Sequence, residues 1–228
     1  MIIGNGLLAK TFAKYKEDEE IIIFASGVSN SLSIDKSNYE REKKLLLNVI
    51  QEYPTKKLIY FSSCDVANKQ MNQKMYYQHK LVMEDIIENS CQDYSIFRLP
   101  QLISATKNDN TLINFLFNAI KYGKEFTIYS GTFKNLIDVR DVYKICSYII
   151  DNNLSIRLIN IINMQFIEVE ELVLLFEKLL ETKAKYKKIN IASFPQYDDT
   201  ITKKLYQKIG IVFTNNYLEN TLKYYYKE

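Results

Sequence analysis

At 228 residues the chain is long enough for one sizeable core, as a single domain or as a domain with a small lobe. Its 30 Lys+Arg and 27 Asp+Glu leave a formal charge of +3, with both signs interspersed; no basic arm or acidic tail is present, which excludes a nucleic-acid partner as the default expectation. Three cysteines (Cys64, Cys91, Cys146) without a CxxC pair and a single histidine (His79) argue against a disulfide framework and a zinc or His-based metal centre, and no cleavable signal or long apolar span is seen, so a reducing cytoplasm with no membrane partner is expected.

The first element is the short apolar run Ile2-Ile3, closed by Gly4-Asn5-Gly6, with a helix-like run after it in which Leu8, Phe12 and Tyr15 recur at helical spacing. Residues 21–27 (IIIFASG) form a continuous apolar run ending in small residues, as a strand buried on both faces does. A helix follows over 37–53, stopped at Pro54; 56–63 (KKLIYFSS) is a third buried strand. The segment from Tyr76 is helical, with Leu81, Ile86 and Ile87 on the expected packed face, and 94–100 (YSIFRLP) is a fourth strand. Strands joined by helices in this alternation predict a parallel sheet with ligands at the carboxyl ends of its strands. Further on the spacing predicts a helix ending at Gly123 and short strands at 125–131 and 135–142. It then predicts a helix, a strand near 156–162, an amphipathic helix from Val169, and two helical pieces around Gly210.

Two motifs carry chemistry. Gly4-Asn5-Gly6-Leu7-Leu8-Ala9 fits G-x-G-x-x-G/A at a strand-to-helix junction. There the first glycine allows a tight turn, the second lets backbone approach a pyrophosphate, and the small third residue lets helix sit on strand. A glycine turn without ligand is the competing reading. Tyr76 and Lys80 form Y-x-x-x-K, which puts a phenol and an ammonium one helical turn apart; a solvated helix face is the alternative. Ser62, Ser63 and Cys64 end the preceding strand, where a hydroxyl or thiol can meet the same substrate oxygen. His79 is expected at the surface or behind the site, on another face of the helix from Tyr76 and Lys80. Arg98 and Arg140 suit phosphate, or a structural ion pair such as Arg140 with Asp138 or Asp141.

In order along nearly the whole chain, these segments resemble the extended short-chain dehydrogenase/reductase family of NAD-dependent epimerases and dehydratases of the nucleotide-sugar type, in a shortened form. GNGLLA resembles its dinucleotide fingerprint, IIIFASG the later strand that lines the nicotinamide ribose, and LIYFSSCDV its catalytic Ser/Thr strand. YYQHK resembles its Tyr–Lys pair, FRLPQLIS the strand leading to the substrate region, and NLIDVRDVYKI its return segment. The resemblance implies Tyr76 as acid/base, and Lys80 as the residue that lowers its pKa and holds the cofactor ribose. It places Cys64 where the family usually has an orienting Ser or Thr, with Ser63 as substitute. It implies NAD or NADP on Gly4, Asn5, Gly6, Leu7, Leu8, Ala25, Ser26, Gly27, Ser62, Lys80, Leu99 and Pro100, substrate on Asn30, Gln101 and Arg140, and no metal.

The implied fold is α/β, a truncated Rossmann-like doubly wound parallel sheet missing about two β-α units after the first, with a small C-terminal substrate lobe. The nucleotide-binding domain is expected over 1–103 and about 135–163, the interleaved lobe over 104–134 and 164–228. An alternative alignment makes 21–27 the second strand of the fold. The missing units usually carry the residue that grips the adenine-side ribose, and the segment between Cys64 and Tyr76 is short as well. The implied activity is oxidoreduction or epimerisation of a nucleotide-linked sugar, in bacterial surface-polysaccharide synthesis, by a protein compatible with a homodimer. A non-catalytic nucleotide-binding relative and a scaffold subunit of a larger enzyme are the rivals.

Overall fold

The computed structural model describes residues 1–28, 30–68, 74–106 and 111–227. In chain order the elements are β1 (Ile2–Ile3), α1 (Leu7–Thr11), β2 (Ile21–Phe24), α2 (Lys36–Glu52), β3 (Lys57–Ser63), α3 (Met75–Ser90), β4 (Tyr94–Leu99), β5 (Gln101–Ile103) and α4 (Leu112–Lys121). They continue with β6 (Glu125–Asp138), α5 (Val139–Asp151), β7 (Leu158–Asn160), β8 (Phe166–Glu168), α6 (Val169–Leu180), β9 (Lys185–Ser193), α7 (Thr200–Ile209) and α8 (Tyr217–Tyr226). Two compact units result. One is Met1–Leu99, Arg140–Ile161 and Tyr197–Thr202; the other is Pro100–Val139, Ile162–Gln196 and Lys203–Glu228.

The first unit is built on a five-stranded, wholly parallel sheet in the order β1-β2-β3-β4-β7, with Ile2 opposite Ile23, Ile22 opposite Leu58 and Leu58 opposite Tyr94. That order decides between the two alignments. A doubly wound sheet runs 3-2-1-4-5-6. If 21–27 and 57–63 were its second and third strands, β4 would pair with β1. Instead β4 pairs with β3 and β1 is left at the edge, which is the order left when the second and third strands are removed.

Strand residues alternate between two faces. Ile22, Phe24, Leu58, Tyr60, Tyr94 and Ile96 meet Leu46 and Val49 of α2 and Met83 and Ile87 of α3. Phe61, on the opposite face, meets Phe12, which follows α1, at 5.1 Å between ring centroids. Phe12 in turn meets Tyr143 of α5 at 5.5 Å, and the Tyr15 hydroxyl donates to Asp151 Oδ1. The α1 segment therefore covers the face away from α2 and α3, although all three connections step the same way across the sheet. The first crossover thus has the opposite hand to the next two. Parallel crossovers are almost uniformly right-handed; here α1 keeps its face while the strands that made its crossover right-handed are gone.

Only nine residues lie between Thr11 and Ile21, so α1 has five residues and runs into a single 3-10 turn at Ala13–Tyr15. This is much shorter than the helix-like run of the sequence. Likewise, Leu81 is 37% exposed, and the buried face of α3 is Tyr77, Lys80, Met83, Glu84 and Ile87, with His79 beside it.

In the second unit the segments expected as two short strands join as the 14-residue β6. It pairs with β5 in parallel, β8 antiparallel and β9 in parallel. The unit's core gathers Ile113, Leu116 and Ile120 of α4, Phe126 and Ile128 of β6, and Leu172, Val173 and Phe176 of α6. Residues 100–103 and 135–139 belong to this unit, because β5 pairs with the end of β6 at Gln101–Leu136 through Ile103–Asp138.

Candidate functional site

The glycines at the end of β1 differ in what they do. Gly4 has φ +124°, and a Cβ there would stand 2.3 Å from the Ala25 carbonyl oxygen. Only glycine fits, because the turn is pressed against the end of β2. Gly6 has an ordinary φ of −77°, and nothing lies within 4 Å of the position its Cβ would take. Its missing side chain therefore leaves room outside the protein core, which is what close approach by a ligand requires. Gly4→Ala is thus expected to destabilise the fold by about 1–3 kcal/mol from backbone strain alone. Gly6→Ala should leave thermal unfolding within about 0.5 kcal/mol of the parent while weakening dinucleotide binding. Equal effects of the two changes on a calorimetric melt would contradict this division of roles.

Beyond β2, the Ser26 hydroxyl and carbonyl both accept from the Arg41 guanidinium at 3.3 Å. Gly27 lies against α3: a Cβ there would come within 2.8 Å of Lys80 Nζ and 3.3 Å of Glu42 Oε1. Asn30 Oδ1 accepts from the Leu32 amide, closing a local turn.

Lys80 sits in a buried polar cluster that no local motif of the sequence marks. Its Nζ donates to Glu42 Oε1 at 3.0 Å, to the Tyr60 hydroxyl at 2.8 Å and to the Phe61 carbonyl at 3.4 Å. Glu42 is wholly buried and also accepts from Tyr60 OH at 3.0 Å and from the Val28 amide at 2.9 Å; His79 Nε2 lies 3.1 Å from its other oxygen. His79 is therefore not at the surface, and it shares a carboxylate with Lys80 rather than facing elsewhere. Burial alone would push Glu42 up, but the Lys80 charge and the hydrogen bonds from His79 and Val28 bring it down to about 2. Burial opposes the charge on Lys80 too, yet Tyr60 and Glu42 hold its pKa above the ordinary lysine value. Helical spacing held the signal: Tyr39, Glu42, Leu46 and Val49 are the buried stripe of α2, and Glu42 is hidden in the sequence only by the charged residues around it.

Tyr76 starts the same helix, with Lys80 Nζ 5.9 Å from its ring centroid and the Tyr77 ring packed edge-on at 5.0 Å. No hydrogen bond to its hydroxyl is present among the described residues. Burial, then the nearby Glu42 carboxylate, raises the Tyr76 phenol well above the ordinary tyrosine value. The Lys80 charge that was expected to lower it is spent on Glu42.

At the end of β3, Ser62 Oγ is buried without a hydrogen-bond partner. Ser63 Oγ accepts from the Asp65 amide at 3.3 Å and is only half-buried. Cys64 is fully buried, its thiol donating to the Arg98 carbonyl at 3.2 Å, and burial raises its pKa far above that of a reactive thiol. Of the two, Ser63 is the one a substrate can reach. Both Asp65 oxygens are held by tyrosines, Tyr197 at 2.6 Å and Tyr77 at 3.4 Å; neither contact is legible in the sequence. Residues 69–73, within the short segment before Tyr76, lie outside the described residues.

Arg98 forms a two-pronged ion pair with Glu84, through Nε–Oε1 at 2.9 Å and Nη2–Oε2 at 2.5 Å, which is a structural use of the guanidinium. Arg140 is exposed at the start of α5. Leu99 ends β4 in the first unit, whereas Pro100 and Gln101 belong to the second, where Gln101 Oε1 is buried without a partner. Among the described residues no cluster of three or more His, Cys, Asp or Glu side chains is arranged to hold a metal, and no helix is long and apolar enough to cross a membrane.

A family model, "NAD dependent epimerase/dehydratase family", matches residues 5–164. The chain belongs to this family. No curated protein matches the sequence. Solved structures share the fold. The UDP-N-acetylglucosamine 4-epimerase from Bacillus cereus superposes with a TM-score of 0.70 at 13% identity, covering 91% of this chain and 78% of that one. RMD from Pseudomonas aeruginosa, solved with NADPH, gives 0.69 at 13%, covering 91% and 81%. The UDP-glucose 4-epimerase from Thermus thermophilus, solved with NAD, gives 0.63 at 10%, covering 83% and 72%. The chain thus spans 72–81% of the length of these three structures.

Proposed function

We propose that the protein is an NAD(P)-dependent enzyme acting on a nucleotide-linked sugar, with Tyr76 as its proton donor. The observation that carries this reading is the grouping of the Gly4–Gly6 turn, Ser62 and the Tyr76–Lys80 helix around the carboxyl ends of β1, β2 and β3. The residues fit half of a dinucleotide. Gly6 leaves space where a side chain would stand, and Ser62 Oγ is a buried hydroxyl in want of a partner. The other half is less well provided for, since β1 pairs only with β2 among the described residues and no strand beyond it offers a ribose-gripping acid.

When bound, the cofactor supplies or accepts a hydride at a sugar carbon. Around that transfer the chain's own groups divide the work. Gly4 fixes the turn and Gly6 opens it. Ser63 presents a hydroxyl to the substrate oxygen. Tyr76, protonated at neutral pH like any tyrosine and with its anion further disfavoured by burial and Glu42, donates a proton to an oxygen gaining charge. A protonated ground state suits reduction of a keto sugar better than proton removal from a hydroxyl. Titration with NADH and NADPH, followed by incubation with nucleotide-linked keto sugars, tests this: net consumption of reduced cofactor is expected, and no binding of either cofactor would refute it. Cycling of cofactor without net consumption would point to epimerisation instead.

A second reading, a non-catalytic nucleotide-binding relative, draws on the same cluster: a Lys80 committed to Glu42 is not free to prime Tyr76.

A further inference from the structure

We propose that Glu42 is a positioning residue that holds Lys80 in reserve, so that a dinucleotide's ribose hydroxyls must compete with a buried carboxylate for the same ammonium. The proposal rests on the function proposed above for the identity of the competitor, but the holding itself rests on geometry. Glu42 is fully buried and Lys80 nearly so, and their heavy atoms meet at 3.0 Å. The groups facing the pair come from every element packed against it: Tyr60 from β3, His79 from α3, Tyr39 from α2, tilted against His79 at 4.8 Å between ring centroids, and the Val28 amide from the loop after β2. Gly27 closes the arrangement, since any side chain there would strike Lys80 Nζ.

The Glu42 carboxylate therefore does two things that a solvated glutamate could not. It ties the loop carrying the small residues after β2 to α2 and α3. It also neutralises the ammonium near Tyr76 that could stabilise a phenolate, in a dry setting where such pairing is strong. A ribose that draws Lys80 forward must replace a charge-assisted bond with bonds to neutral hydroxyls, which are weaker. The cost appears as reduced cofactor affinity, a competition built into the free protein.

The test uses the full chain as wild type, Glu42→Gln and Glu42→Asp, with two readouts. The first is the rate of reductive methylation at each lysine, followed by peptide mass spectrometry without cofactor. The second is the dissociation constant for NADH and NADPH by fluorescence titration. Glu42→Gln is expected to speed labelling of Lys80 at least about tenfold, because burial lowers the pKa of an unpaired ammonium, and to tighten cofactor binding about fivefold. Lys57, buried but paired with Asn153 and Asp93, serves as the control and should not change. Glu42→Asp keeps the charge and should retain most of the Lys80 protection, which makes the test independent of whether the glutamine variant folds.

Unchanged Lys80 labelling, or a rise shared with Lys57, would overturn the holding role and leave Glu42 a general support of the fold. Binding of cofactor with equal affinity by wild type and Glu42→Gln would overturn the competition alone. Binding by neither would refute the dinucleotide reading itself and the competition with it, while the labelling still decides whether Glu42 holds Lys80.

Discussion

Replacing Tyr76 by Phe is expected to lower nucleotide-sugar conversion by about 10²–10⁴-fold, the usual contribution of a positioned general acid, while cofactor affinity and melting temperature stay near those of the parent. The reason lies in the surroundings of the hydroxyl. It makes no hydrogen bond among the described residues, so its removal orphans no buried partner, and the ring keeps its edge-on contact with Tyr77. A loss of activity accompanied by unfolding would mean that the hydroxyl is structural. Full activity in the variant would favour the non-catalytic reading. Steady-state kinetics paired with calorimetry separates these outcomes.

The second large effect concerns stability. Lys80→Met should destabilise the first unit by about 3–5 kcal/mol, since it strips a fully buried carboxylate of its cation, and thermal unfolding of a chain this size should fall by roughly 2–4 °C for each kcal/mol. The effect should depend on pH with a definite sign. In the wild type the Glu42 pKa is depressed from 4.5 to about 2. Its contribution is therefore complete above about pH 4.5 and lost as the pH falls toward 2. In Lys80→Met, burial without the cation pushes Glu42 up instead, so protonation relieves the variant. The gap between the two melting curves should begin to narrow above pH 4.5, as the variant's Glu42 takes up its proton, and go on narrowing as the pH falls toward 2. A gap that stays constant would show that Glu42 and Lys80 are not coupled in this way.

How far the sequence reveals this architecture depends on the range over which each signal acts. β2, β3 and β4 are continuous apolar runs bounded by polar or breaking residues, and such runs are visible locally. The glycine turn and the Tyr76–Lys80 spacing are also local. β9 carries no local signal, because KYKKINIAS is rich in lysine and has no continuous apolar run; it becomes a strand by pairing with β6, a partner some sixty residues away. The same limit hid the partner of Lys80. Glu42 lies 38 residues earlier, and its burial follows from the stripe it shares with Tyr39 and Leu46, not from its chemistry. Cys64, read as an orienting group from its place after β3, turns its thiol to a backbone carbonyl that only the pairing of β3 with β4 brings near. Side-chain identity announces what a group can do, while its partners, set by tertiary pairing, decide what it is free to do.

The reversed hand of the first crossover has a practical meaning for the turn between Tyr15 and Ile21, in which Lys16, Glu17, Glu19 and Glu20 are all exposed. This turn is a splice junction. α1 already occupies the face it would have in a longer sheet, and the outer edge of β1 carries no other strand among the described residues. Two grafted β-α units entering at this turn would have an edge to extend, and neither neighbour would need to change faces. Such a chimera would grow the sheet outward from β1 and supply a cradle for the adenosine. Compared with the parent, it would measure how much of a dinucleotide fold can be dispensed with before the cofactor is no longer held.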